Sequence, residues 1–241
     1  MKPKSDTLFH FTKSLEHLKS ILANGFYPRY CLEDTSMLDV DYVAYPMICF
    51  CDIPISRLSD HTSFYGDYGI GITKEWGARN LLHPVSYVTA GGPIVELANF
   101  LATVDIKAKT KAQREVDDEL VLHFNRLIPL LKPLTGKMLI GGKAVEKDFY
   151  QENEWRFLPE DFRMAFGEAN FAKQRAELNL EVQKFVQKFM PSDIRYIFVK
   201  SDSELPIIFD FIQNNLGAFP LNEIKILSTR ITSLETLSRD L

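Results

Sequence analysis

The chain has 241 residues, enough for one large domain or two small ones with a substantial core. Hydrophobic residues make up 46% and charged residues 25%, a globular balance that excludes a disordered chain. A net charge of −4 and a pI near 5.8 argue against a protein that lives on nucleic-acid phosphates, which is ordinarily basic.

The N-terminal stretch "MKPKSDTLFHFTKS" has no apolar signal core. No run reaches the roughly 18–20 apolar residues that span a bilayer, so a soluble, cytoplasmic protein is expected. "TLFHFT" (7–12) alternates aromatic or β-branched residues with polar ones and predicts a strand. Ser14 then caps "LEHLKSILANG", in which Leu15, Leu18, Ile21 and Leu22 fall at helical spacing and Asn24-Gly25 supplies the stop. "FYPRY" is extended, held by Pro28. "AYPMICFCDIP" predicts a second strand, closed by Pro54, and "PISRLSDHTSFYG" a short helix with a glycine turn. "YGIGITKEWGARN" begins as a strand with Ile70 and Ile72 on one face and passes into a helix near Lys74. "HPVSYV" reads as another short strand.

Residues 94–132 change character. Helical periodicity with few breakers predicts two helices, inserted against the sheet, with Glu115, Asp117, Asp118 and Glu119 on a solvated face. Strand character returns at Trp155, Arg156 and Phe157, and residues 168–190 hold a helical region. The tail predicts a β-α-β unit with "YIFV" and "IKIL" as its buried strands. The expected architecture is one α+β domain over residues 1–241, with a mixed sheet and a helical insertion at approximately 94–132.

Cys31, Cys49 and Cys51 are the three cysteines, a low odd count that fits a reduced intracellular protein. Cys49 and Cys51 share one face of their strand with Phe50 on the other, and are expected to be buried and structural. Finger-like ligand spacing is missing, so no metal is expected.

Three constellations carry candidate chemistry. His10 sits mid-strand between phenylalanines, where burial requires hydrogen bonds for its ring nitrogens; pointing into a cleft, it would donate to a ligand hydroxyl or carbonyl. Asp52, His61, Tyr65 and Tyr68 are followed or interleaved by Gly66, Gly69 and Gly71, a combination suited to an aromatic pocket wall. In "QENEWRFLP", Glu152 and Glu154 lie on one face if the segment is extended, and Glu154 at a strand start could position a hydroxyl or stabilise a developing cation. Thr12 and Arg156 complete the set, with His10 and Glu154 as catalytic candidates and Tyr65, Tyr68, Thr12, His61 and Arg156 as ligand-binding ones.

The order of a strand histidine, a helix ending in Asn-Gly, aromatics and a late glutamate resembles the His–Tyr–Glu layout of ADP-ribosyltransferase folds. The opening "HFT…L..IL.NGF" is similar to that of DarT-like enzymes and RNA 2′-phosphotransferases. That resemblance implies NAD as cofactor, with His10 anchoring its ribose, a tyrosine stacking on nicotinamide and Glu154 stabilising the oxocarbenium. Over most of the chain, "LFHFTKSLEHLKSILANGFYPRY.LED", "PMICFCDIPISRLSDH…YGDYGIGITKEWG" and "ENEWRFLP" resemble the AbiGi family of abortive phage-resistance proteins. This second resemblance implies the antitoxin half of a two-gene system and a cognate toxin as partner. Two functions are therefore expected to compete: an antitoxin that binds its toxin through residues 94–132, and an NAD-dependent transferase acting on a nucleic acid, nucleotide or protein.

Overall fold

The computed structural model describes residues 5–38, 40, 42–103, 120, 122–140 and 143–239. Alternation places Leu8, His10 and Thr12 on one face of β1 (Thr7–Thr12) and Phe9 and Phe11 on the other. Ser14 starts α1 (Leu15–Asn24), accepting from the His17 amide at 3.2 Å, and Gly25 at φ 89° ends it. β2 (Arg29–Asp34) pairs along the first half of β3 (Tyr42–Cys51), a ten-residue strand buried almost throughout. Pro54 closes β3. α2 (Leu58–Tyr65) follows and ends at Gly66, whose φ of 115° suits glycine and whose Cβ would strike the Thr12 carbonyl. β4 (Tyr68–Thr73) pairs with the whole of β1, and its glycines permit the contact. A Cβ on Gly69 would lie 2.7 Å from the Phe11 ring, and one on Gly71 2.9 Å from the Phe9 ring. Thr73 caps α3 (Lys74–Arg79), which buries Trp76.

"HPVSYV" divides between two sheets. β5 (His83–Pro84) edges the main sheet beside the later strand at residues 154–157, and β6 (Ser86–Val88) runs elsewhere. Helices follow, α4 (Pro93–Thr103) and α5 (122–127), and then β7 (Leu131–Pro133), parallel to β6. The expected insertion is thus helical at both described ends and closes in a strand. The acidic run Glu115, Asp117, Asp118 and Glu119 lies outside the described residues.

β8 (Thr135–Ile140) and β9 (Lys143–Asp148) form a separate two-stranded hairpin that the sequence pattern did not lead us to expect. A 3-10 turn, Phe149–Glu152, and left-handed Asn153 (φ 45°) lead into β10 (Glu154–Phe157). Glu152 therefore precedes the strand instead of sharing a strand face with Glu154. β11 (Ala165–Phe166) and α6 (Glu168–Glu181) complete the middle of the chain.

The tail forms β12 (Ile194–Val199), α7 (Leu205–Asn215), α8 (Leu221–Ser228), β13 (Ile231–Ser233) and α9 (Leu234–Leu237). β12 and β13 are parallel, so the β-α-β connection is present. "IKIL", however, lies in α8: Ile224 and Leu227, three apart, are buried and Ile226 is exposed. A short apolar run has no period that separates strand from buried helix, and here the helix prevails. The second strand is "ITS".

The main sheet runs β13-β12-β4-β1-β3-β10-β5, with β2 and β11 also paired to β3. Most pairs are antiparallel, so the chain is α+β with a mixed sheet. α1, α3, α7 and α8 cover one face of it, packing Leu18, Trp76, Ile208 and Leu227 against Leu8, Ile70 and Ile197. Phe9, Phe11 and Phe198 meet Leu58 of α2 and Leu234 of α9 on the other. Val43, Tyr45 and Met47 of β3 pack with Val95 and Ala98 of α4, and Ala44 with Phe171 and Leu178 of α6. Among the described residues no helix is long and apolar enough to cross a membrane.

One discontinuity in the sheet positions everything that follows. β10 takes one edge of β3 from Ile48 to Cys51, whereas β1 meets the other edge at the single pair Phe9↔Cys51. Past that pair the two strands part.

Candidate functional site

A cleft of about 490 Å³ opens where β1 and β3 separate, within the usual range for small-molecule sites. His10 and Thr12 of β1, His61 and Tyr65 of α2, Cys49 of β3 and Glu154 of β10 line it, joined by Glu33, Lys132, Lys137 and Glu152. Five of the seven candidate residues thus come together around one space. Tyr68 does not: its hydroxyl donates to Glu204 at 2.7 Å, away from the cleft. Arg156 does not line it either, lying fully buried behind Glu154.

The His10 ring is fixed on two sides. Nδ1 lies 2.8 Å from the Cys49 carbonyl, and a carbonyl only accepts, so Nδ1 carries the proton and donates it. The edge of the β3 ladder that β1 leaves unpaired is satisfied in this way. Phe26 and Phe50 pack against the ring at centroid distances of 5.2 and 5.5 Å. Burial lowers the His10 pKa, with the Cys49 bond working in the opposite sense, and the ring stays neutral. Nε2 is then an acceptor with no partner in the described chain, and it is not sealed from solvent. The expectation that His10 donates to a ligand is reversed: its one donor is already committed to the backbone.

The floor is a balanced network of charge. Lys132 Nζ reaches Glu154 at 2.7 Å, Glu152 at 3.3 Å and Glu33 at 3.8 Å, and lies 4.4 Å from the centre of the Phe149 ring. Arg156 donates from Nε to Glu154 Oε1 and from Nη2 to Glu33, both at 2.7 Å, and from Nη1 to the Pro129 carbonyl at 2.6 Å. Lys147 Nζ pairs with Glu152 at 2.5 Å and donates to the Tyr65 hydroxyl at 3.0 Å. Tyr65 in turn donates to Glu152, and His61 stacks on Tyr65 at 4.4 Å. Glu33, Glu152 and Glu154 are thereby matched by Lys132, Lys147 and Arg156, drawn from β2, β7, β9, β10 and the turn before β10.

Burial would raise the Glu154 pKa, yet Arg156 and Lys132 hold it well below the usual carboxylate range. Burial likewise opposes the charge on Lys132, and Glu154, Glu33 and Glu152 outweigh it, so the ammonium is held above its ordinary value. Burial pushes the Tyr65 hydroxyl up, with Glu152 adding to the shift, and pulls Lys147 down. Cys51 is buried as expected, but Cys49 is only half-buried on the cleft wall, where desolvation keeps its thiol protonated. Among the described residues no group of three or more His, Cys, Asp or Glu is placed to hold a metal ion.

Burial also pushes His61 down to about 4. In the unfolded chain both histidines titrate near about 6.5. The neutral rings therefore contribute fully above that pH, and the contribution is lost as pH falls toward the folded value. The unfolding free energy, and with it the melting temperature, is expected to drop between pH 7 and pH 5, before ordinary carboxylates titrate, the free energy by up to about 1.4 kcal/mol per pH unit for each ring. His61→Gln should flatten that slope; an unchanged slope in thermal denaturation would show that folding leaves the His61 pKa unshifted.

The transferase reading asks Glu154 to meet a growing positive charge and an aromatic ring to stack beside it. Glu154 already faces two cations in the floor, Arg156 and Lys132; of the two tyrosines that could stack, Tyr65 lines the cleft with its hydroxyl bonded to Glu152 and Lys147, and Tyr68 is turned away. NAD chemistry through Glu154 is therefore not supported by these residues. Lys132, Lys147 and Glu33 escape detection in the sequence, because each lies in an apolar or unremarkable run and meets its partners only in space.

The chain has no match among solved structures, and the resemblance to ADP-ribosyltransferases is not shown by that comparison. The "Abortive phage resistance protein AbiGi" of Lactococcus lactis subsp. cremoris is 29% identical over 252 aligned positions, covering 90% of this chain and 99% of that protein. The profile of the family described as "Putative abortive phage resistance protein AbiGi, antitoxin" matches residues 24–200, a span that runs from the end of α1 past β12 and takes in most of the cleft. The mixed sheet, its parted strands and the charged floor are accordingly features of a member of the AbiGi family of abortive phage-resistance proteins, and this chain belongs to it.

Proposed function

We propose that the protein is the antitoxin of an abortive-infection pair and restrains a cognate toxin protein by binding it through α4 and α5. The observation that carries this is the apolar outer surface of those helices. Val95 and Ala98 of α4 face the core, while Ile94 and Leu97 on the same helix are 48% and 56% exposed. Leu122 and Leu127 of α5 are 54% and 48% exposed beside core residue Ile128. A helix that is apolar on both sides is built to be covered on both. The antitoxin description of the family supports a toxin as the occupant. The acidic overall balance favours a protein partner over the toxin gene's operator.

The test is co-expression with the toxin of the same two-gene system. The wild type is expected to restore growth and to co-purify with the toxin. Leu97→Asp combined with Leu127→Asp should abolish both while leaving the melting temperature nearly unchanged, because both side chains already face solvent. Central apolar anchors of an interface contribute about 2 kcal/mol or more each, roughly thirtyfold in affinity. Undiminished rescue by the double variant would overturn the assignment to these helices.

A further inference from the structure

The cleft between β1 and β3 plays no part in that protein contact, yet it has the enclosure and the fixed polar group of a binding site. We propose that it binds an uncharged heteroaromatic small molecule that donates an N–H to Nε2 of His10. Toxin binding through α4 and α5 is independent of this cleft, and the two proposals stand or fall separately.

Three features select that chemistry. The first is size and wall. About 490 Å³ accommodates one or two fused rings with small substituents. Ile21, Phe26, Phe50, Met138 and Phe149 are among its lining, offering flat and polarisable apolar surface.

The second is the hydrogen bond on offer. His10 is held by its donation to the Cys49 carbonyl and by Phe26 and Phe50, so neither its tautomer nor its orientation is free to adjust. Nε2 is left as a fixed acceptor on the cleft wall. A molecule that covered it without donating would strip it of water and return nothing, whereas an N–H donor replaces the lost water. Sites of this type discriminate strongly against analogues that lack the donor.

The third is charge. Glu33, Glu152 and Glu154 are each paired within the floor to Lys132, Lys147 or Arg156. A charged group that reached this floor would lose water without gaining a free counter-charge, unless it broke one of these pairs. A neutral ring meets no such penalty.

The experiment titrates the full chain with indazole, 7-azaindole and adenine, with their N-methyl counterparts, and with indazole-3-carboxylate as the charged comparison. Histidine ring nitrogens are followed in long-range proton–nitrogen spectra, and affinities by calorimetry. At least one N–H probe is expected to move the His10 Nε2 resonance and to bind about tenfold more tightly than its N-methyl counterpart, the scale of one hydrogen bond in an apolar site. The carboxylate should bind more weakly than indazole. In His10→Phe the N–H preference should vanish. The proposal is overturned if no N–H probe moves that resonance, if the N-methyl probes bind equally well, or if the carboxylate binds best. The N-methyl comparison uses the unaltered protein, so it decides the matter even if His10→Phe fails to fold. The Leu97→Asp, Leu127→Asp variant should give the same titration as the wild type, which separates failure here from failure of the toxin assignment.

Discussion

Arg156→Met is expected to destabilise the protein by about 3–5 kcal/mol, the scale for removing one partner from a buried ion-pair network. Arg156 is fully buried and spends its donors on Glu154, Glu33 and the Pro129 carbonyl. Without it, Lys132 alone must neutralise carboxylates from two strands, and one carbonyl loses its donor. For a chain of this length, each kcal/mol lowers the melting temperature by about 2–4 °C, so a fall of roughly 6–20 °C should be seen. Arg156→Met with Glu154→Met removes charges of both signs and should recover part of the loss, since uncompensated charge, and not lost packing, dominates the single change. The pH response gives an independent reading. Glu154 is held below the usual carboxylate range, so its contribution is complete above an unfolded value of about 4.3 and is lost as pH falls toward the folded value. The acid side of the stability profile should therefore flatten in the Arg156 variant. Urea unfolding at several pH values measures both effects; a single-variant cost under about 1 kcal/mol would show that water reaches the network.

A chain ending at residue 190 should not fold. Ile194, Ile197, Phe198, Val199, Ile208 and Ile212 are each at most 1% exposed, and all would be lost. At about 1.5–3 kcal/mol apiece, their burial contributes roughly 9–18 kcal/mol gross, comparable with or above the 5–15 kcal/mol net stability of a typical domain. Removing β12 would also leave the backbone of β4 unpaired along one edge. The shortened chain is expected to be insoluble or to lack a cooperative unfolding transition by circular dichroism. A cooperative transition matching that of the full chain would show that residues 1–190 form an autonomous unit, and that the tail is an accessory layer.

The parts of the fold that were legible in the sequence are those with strong local punctuation. Ser14 and Gly25 bracket α1, and Pro54 closes β3. The parts that were not legible depend on contacts distant in sequence. "IKIL" has the composition of a strand and became a helix because only one face of it meets the core. The β8–β9 hairpin went unread because the helical reading of the preceding segment ran up to it. The cleft was legible in outline, since His10, Tyr65 and Glu154 are polar residues placed against strands. Its electrostatics were not. Lys132 follows "PLL" and reads as a helix-face lysine, and only the pairing of β7 with β6, outside the main sheet, brings it between Glu152 and Glu154.

The charged floor also constrains how this sequence can be inherited. Positions 33, 132, 147, 152, 154 and 156 supply three acids and three bases that cancel one another in a nearly dry space. A lineage that changes one of them alone loses several kcal/mol, a large share of the margin that keeps a domain folded. A lineage that changes an acid and its base together can pass without that loss, because the interaction is shared and its energies do not add. The six positions therefore form one heritable unit, free to be exchanged as opposite-signed pairs and closed to stepwise drift, although they are spread over more than half of the chain.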